Sequence, residues 1–136
     1  MGYFRDLSEA EKDEFIKNNQ HGVLSFAGDK PYALPMGYMY KKGDLLIGLT
    51  IPGRKMDYIK KNPSVCFTIC QPRWQTPGLK ESCTSVVVEG ELEEVTDRAY
   101  YGLELKPPEN VITFRIKANN VGCKKCTRTP CEILAR

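Results

Sequence analysis

The spacing of apolar positions changes repeatedly along the chain, and each change marks an element. "LSEAEKDEF" carries Ser8 with Glu11 three residues on, a capping box, so a helix is predicted from about 9 to 19, ended by Asn18 and Asn19. "HGVLSFAGDKPYALPMGYMYKKGDLLIGL" then alternates at period two and reads as three strands. The first covers about 21–27 and stops at Gly28-Asp29. The second covers about 31–41, with Tyr32, Leu34, Met36, Tyr38 and Tyr40 on one face. The third covers about 44–50, after a Lys42-Gly43-Asp44 turn. Connections this short make antiparallel hairpins. A helix at about 54–61 follows, closed by Asn62-Pro63, because the residue before proline avoids helical angles.

"SVCFTIC" (64–70) reads as a buried strand in which Cys66 and Cys70 act as small hydrophobes. "QPRWQTPGLKE" (71–81) is a proline-containing loop. "SCTSVVVEGELEEV" (82–95) is a long strand, with Val86, Val88 and Leu92 inward and Glu89, Glu91 and Glu93 toward solvent. Thr96 is predicted to cap a short helix in "DRAYYGLEL". "NVITFRIKA" (110–118) alternates again, with Ile112, Phe114 and Ile116 in and Thr113, Arg115 and Lys117 out. The sum is six strands and three helices, the helices inserted between antiparallel strands, with no internal repeats. Around one core this is a small closed or half-closed barrel, which removes exposed edges.

Length and composition narrow the picture. A chain of 136 residues makes one domain, 1–136, with 119–136 expected as a cysteine-containing tail after the last strand. Such a domain buries roughly 65–70% of its unfolded surface and needs no disulfide staple. A net charge of +3 excludes a broad nucleic-acid-binding face. There is no apolar run near 18 residues and no basic-then-apolar leader, so the expectation is a soluble, cytoplasmic protein with no membrane partner. In that setting the six cysteines are expected as thiols.

The acid–base inventory is thin. The one histidine, His21, opens a strand, where a solvated or structural role is the plain reading. No G-x-S-x-G, Walker or G-x-G-x-x-G motif occurs. Chemistry would therefore come from a bound cofactor. "LTIPGRKMDYIKKNP" (49–63) is the place to look for it. Arg54 and Lys55 stand in the first turn of a helix, where the helix dipole disfavours cations. A phosphate would remove the conflict. Thr50 offers a hydroxyl, Gly53 allows close backbone approach, Arg54 can bind phosphate through two N–H groups, and Lys55 adds a point charge. The alternative is two solvated surface cations. Leu34, Met36 and the Ile47–Leu49 strand could wall an aromatic ring, and Tyr38 and Trp74 could join them, pack in the core or meet a second copy.

Cys123, Cys126 and Cys131 form a C-x2-C-x4-C run. Three readings stay open. The cysteines could ligate zinc or an iron–sulfur cluster, with Cys83, His21 or a partner residue as fourth ligand. Cys123 and Cys126 could be a redox dithiol activated by Lys124, Lys125 and Arg128. They could also be plain thiols on a tail.

The order of elements resembles the pyridoxamine-phosphate-oxidase-like FMN-binding split barrels, above all their nitroimidazole-resistance (Nim-type) branch. The resemblance runs from about 20 to 118 and is carried by "HGVLSFAGDKPYALPMGYMY", "LLIGLTIPGRKMDYIKKNPSVCFTI" and "SVVVEGELEEV" in that order. It implies a mainly β fold, a six-stranded antiparallel split β-barrel with peripheral helices. It also implies a homodimer with two FMN sites between the protomers. Thr50, Arg54 and Lys55 would hold the FMN phosphate, Ala33, Leu34, Pro35 and Met36 would border the flavin, and the strand containing Ser85 would reach it from near the dimer interface. The Nim-type branch commonly has a histidine near the end of the third strand, where this chain has Gly48, which argues against nitro-drug reduction. The C-terminal "NVGCKKCTRTPCEILAR" lacks the substrate-phosphate residues of the vitamin-pathway oxidase, which argues against pyridoxamine-phosphate oxidation.

The expected function is an FMN-dependent oxidoreductase passing electrons from a small reduced donor to a small acceptor. The alternatives are a non-catalytic flavin carrier or sensor, the same barrel holding F420 or haem, and a metal-dependent interaction protein built on the cysteines.

Overall fold

In the computed structural model, residues 4–71 and 83–126 are described. The element order is β1 (Phe4–Asp6), α1 (Glu9–Asn18), β2 (His21–Phe26), β3 (Tyr32–Gly37), β4 (Met39–Lys41), β5 (Asp44–Thr50), α2 (Arg54–Lys61), β6 (Ser64–Gln71), β7 (Thr84–Glu94) and β8 (Val111–Cys126). The strands form one antiparallel sheet in the order β3-β2-β6-β7-β8-β5-β4, with β1 added beside β8. No helix among the described residues is long and apolar enough to cross a membrane.

The sheet begins at β3 and ends at β4, which are one residue apart in the chain. The predicted 31–41 strand is therefore one stretch shared by both ends of the sheet. Residues 32–37 pair with β2 and 39–41 pair with β5, and the break falls at Tyr38. Its N–H bonds to the Gln20 carbonyl at 3.0 Å, and its hydroxyl donates to the Ile16 carbonyl of α1 at 2.6 Å. The Tyr38 ring meets Phe67 edge-on at 5.6 Å, so Tyr38 is a core residue, and burial pushes its phenol up to about 12. Tyr40, next on the same face, donates to Asp13 of α1 at 2.6 Å. The two hydroxyls tie α1 to the seam of the barrel. The capping box of α1 is present as predicted, with Ser8 and Glu11 bonding each other's backbone.

Side chains from β2, β5, β6, β7 and β8 fill the barrel: Leu24, Leu49, Phe67, Ile69 and Val86 are among those with essentially no exposure. Alternation decides this set, since successive side chains of a strand face opposite ways. The inward positions of β7 and the solvent-facing Glu89, Glu91 and Glu93 match the sequence pattern.

Several expectations are corrected. Among the described residues, eight strands replace six, because 31–41 divides and Phe4–Asp6 adds an edge strand, and two helices replace three. Residues 97–105 form turns: Asp97, not Thr96, caps the first turn, through the Tyr100 N–H at 3.0 Å. Gly102 then takes a left-handed φ of 70°, and the Leu103 and Gly102 N–H groups close back on Arg98 and Ala99 at 3.0 Å. That helix-ending motif follows a single turn, so no helix propagates. This segment covers the outer face of β5 and β8, where Arg98 donates to Thr113 at 2.9 Å and Tyr101 to Asp44 at 2.6 Å. Thr113, expected in solvent, is buried for that reason. Strand β8 continues to Cys126, so residues 119–126 belong to the sheet rather than to a tail. Cys66 and Cys70 lie on the face of β6 opposite the core residues Val65, Phe67 and Ile69, and Cys70 is exposed.

A register shift between Glu89 and Gly90 lets β7 follow the long β8. A Cβ on Gly90 would sit 2.2 Å from the Lys117 carbonyl oxygen. Gly90→Ala is expected to cost about 1–3 kcal/mol or more, read as a lower urea midpoint; an unchanged midpoint would show that the two strands can separate there freely. Arg5 binds Glu11 through both carboxylate oxygens and holds it down at about 2, against an ordinary value of 4.5. A carboxylate depressed in the fold adds stability above its unfolded value and loses it as pH falls. Glu11→Gln is expected to lower the melting temperature at pH 7, and the gap to wild type should close between pH 4.5 and 2.

Candidate functional site

Strand β5 delivers Thr50 to the surface, and the chain turns through Ile51-Pro52-Gly53 into α2. The Ile51–Pro52 peptide is cis, and the Ile51 N–H bonds to the Asn110 carbonyl at 2.9 Å. Gly53 stands at the N-cap with no side chain to satisfy the first turn. Lys55 reaches back so that its ammonium donates to Thr50 Oγ1 at 2.8 Å. Arg54 leaves the helix in another direction. Its guanidinium lies over the Tyr32 ring, 4.2 Å from the centroid, and 5.6 Å from that of Tyr58. Phe26, Tyr32 and Tyr58 form one aromatic cluster, with Phe26 and Tyr32 stacked at 5.1 Å and Tyr32 and Tyr58 tilted at 5.0 Å. Among the described residues, neither Arg54 nor Lys55 has an ion-pair partner.

On the far side of Arg54, a cavity of about 450 Å³ opens between the β2–β3 turn and α2, lined by Gly28, Asp29, Lys30, Arg54, Tyr58 and Lys61. Tyr58 bonds to the Lys30 carbonyl at 3.3 Å and closes one wall. The structure thus gathers two cations, a hydroxyl, a glycine turn and an aromatic floor.

The other expected site residues separate by parity. Ala33 and Pro35 face out of β3 and are exposed, while Leu34 and Met36 pack against the core. The side chains of Leu49 and Ile47, each 1% exposed, point into the core; Gly48 between them and Thr50 after them are exposed. Ser85 faces outward on β7, three strands from β3, roughly 14 Å at the usual strand spacing. One chain does not bring it to Arg54. Trp74 and Cys131 lie outside the described residues. The sequence pattern puts Tyr32 on a strand face and Tyr58 in the helix, but marks neither as a site residue. Tyr58 was findable, four residues beyond Arg54 on a helix, but the contact to Tyr32 has no local signal.

The sequence model of the family described as pyridoxamine 5'-phosphate oxidase matches residues 8–106. The chain belongs to that family. No curated protein matches it. Among solved structures, an FAD-binding protein from Mesorhizobium loti is similar with a TM-score of 0.70 and 24% identity, covering 93% of this chain and 100% of that one. An FAD-binding protein from Mycobacterium smegmatis follows at 0.68 and 18%, covering 88% and 97%. A candidate 5-nitroimidazole antibiotic resistance protein from Bacteroides thetaiotaomicron, the branch the sequence pointed to, has a TM-score of 0.67 and 14% identity, covering 91% and 89%. At these identities the structures establish the shared fold of the oxidase family.

Of the expected cysteine site only Cys123 and Cys126 fall among the described residues, and these two do not converge. Cys123 and Cys126 are three residues apart on β8, so they face opposite sides of the sheet. Among the described residues, no three His, Cys, Asp or Glu side chains gather as metal ligands. Burial pushes the Cys123 thiol up, the reverse of an activated thiolate.

The division of roles can be measured. Leu49→Ala should cost about 2–5 kcal/mol in urea unfolding, as a core truncation does. Thr50→Val, at an exposed strand end, should leave the unfolding midpoint nearly unchanged.

Proposed function

We propose that this oxidase-family chain binds a flavin mononucleotide and works as an oxidoreductase, with the phosphate at Thr50, Arg54 and Lys55. The observation that carries the reading is a pair of cations without ion-pair partners among the described residues, at an uncapped helix start, with a hydroxyl within reach of Lys55. A dianionic phosphate supplies the missing charge and takes the first-turn N–H groups. The Lys55–Thr50 bond holds the ammonium at one side, and Tyr32 orients the guanidinium at the other. Ala33 and Pro35, exposed on the outer face of β3, would border the ring. The bound flavin would accept two electrons from a donor and pass them to a small acceptor. The chain's own residues would bind and orient it.

A homodimer belongs to this reading. Pro35, Val23, Thr68 and Val87 run in register across β3, β2, β6 and β7, ending at Gly122 of β8. This is a band of small, uncharged side chains on the outer face of the sheet. A second copy packed there would bring the strand of Ser85 toward the flavin of the first. The cavity beside Arg54, with Lys30 and Lys61 on its walls, favours a second reading, a flavin dinucleotide whose further phosphate enters it.

Replacing Arg54 and Lys55 together with alanine should weaken riboflavin 5'-phosphate binding by about 100-fold or more, since hydrogen bonds to charged groups contribute about 1.5–3 kcal/mol each. Affinity for riboflavin itself should hardly change. Equal loss for both, or no loss, overturns the phosphate assignment. Tighter binding of the dinucleotide than the mononucleotide would decide for the second reading. Steady-state turnover with reduced nicotinamide and a dye acceptor distinguishes a catalyst from a carrier.

A further inference from the structure

The C-x2-C spacing dissolves in the fold, but a different pair of thiols takes its place. Strand β7 pairs with β8 with Thr84 opposite Lys125, Ser85 opposite Lys124 and Val86 opposite Cys123. The ladder extends one residue further, because the Cys126 N–H donates to the Cys83 carbonyl at 2.9 Å. Cys83 and Cys126 are therefore directly opposed. Opposed residues of an antiparallel pair project from the same face. In a hydrogen-bonded pair their Cα atoms lie about 5.5 Å apart, within the roughly 4.4–6.8 Å that a disulfide spans. Cys83 is partly exposed and Cys126 is buried. On the other side of Cys126 lies Phe4, its register partner on β1. Neither cysteine is in a disulfide.

We propose that Cys83 and Cys126 form a vicinal thiol pair, a site of reversible oxidation by low-molecular-weight disulfides. Exposure sets the order of events. The Cys83 thiolate attacks one sulfur of the incoming disulfide, forms a mixed disulfide and releases one thiolate, which takes up the Cys83 proton. Cys126 then attacks Cys83 Sγ from across the strand pair. The Cys83–Cys126 bond forms, the mixed bond breaks, and the second thiol leaves with the Cys126 proton. The protein loses two electrons and two protons, and the small disulfide becomes two thiols. The product staples the ends of β7 and β8 without requiring either strand to move far.

The full-length protein, treated with glutathione disulfide and acid-quenched, is expected to yield one intramolecular cross-link on non-reducing peptide mass analysis, joining the Cys83 and Cys126 peptides and reversed by dithiothreitol. Cys126→Ser should stop at a glutathione adduct on Cys83. Phenylarsine oxide, which bridges two close thiols, should bind wild type one per chain and shield both cysteines from alkylation, an arm that needs no variant to fold. A cross-link from either cysteine to Cys70, Cys123 or Cys131, a link between two chains, or no link with no arsenical protection would overturn the proposal.

Discussion

The barrel depends on one peptide unit. Tyr38 is where a single extended stretch leaves β2 and joins β5, so the two ends of the sheet are held together by the chain itself. A sheet this strongly curled would otherwise expose two edges. Here the edge strands are successive parts of one segment, and the ring that marks their junction is packed on Phe67 and bonded to α1. Helix α1 is thereby fixed across the seam, which explains why a surface helix with one fully buried residue, Ile16, is ordered into the core.

The same period-two rule that fills the barrel selects what can touch a ligand. Adjacent residues of β3 have opposite fates: Leu34 and Met36 support the core while Ala33 and Pro35 face outward. At the end of β5 the switch from Leu49 to Thr50 is the switch from packing to polar chemistry. Helix α2 applies a different rotation, about 100° per residue, and so sends Arg54 and Lys55 to different neighbours, a tyrosine ring and a hydroxyl. Two cations that read as one charged patch in the sequence are two distinct positions in space.

Much of this was legible in the sequence. Period two located β2, β5 and β7 to within two residues, and the capping box and Asn62-Pro63 located both helices. Of the phosphate-binding candidates, Lys55 is bonded to Thr50, while Arg54 lies over the Tyr32 ring. What escaped notice depended on partners distant in sequence. The continuation of β8 through "NNVGCKKC" has no hydrophobic alternation of its own; it exists because β7 and β1 supply backbone partners on both sides. Thr113 is buried by Arg98, and Tyr32 receives Arg54, through contacts that no local pattern announces. The missing third helix was readable in principle, since Gly102 stands where a left-handed residue ends the first turn.

Strand β8, the last described element, lies between β7 and β5 and also carries β1. A chain emerging from the ribosome therefore presents β5 and β7 as open edges until β8 has been made. The amino-terminal Phe4–Asp6 has no docking site before residues 124–126 appear. Contacts between residues so distant in sequence slow folding and lengthen the period in which bare strand edges can meet another molecule. Nascent copies of this domain are thus most vulnerable to mispairing just before β8 emerges.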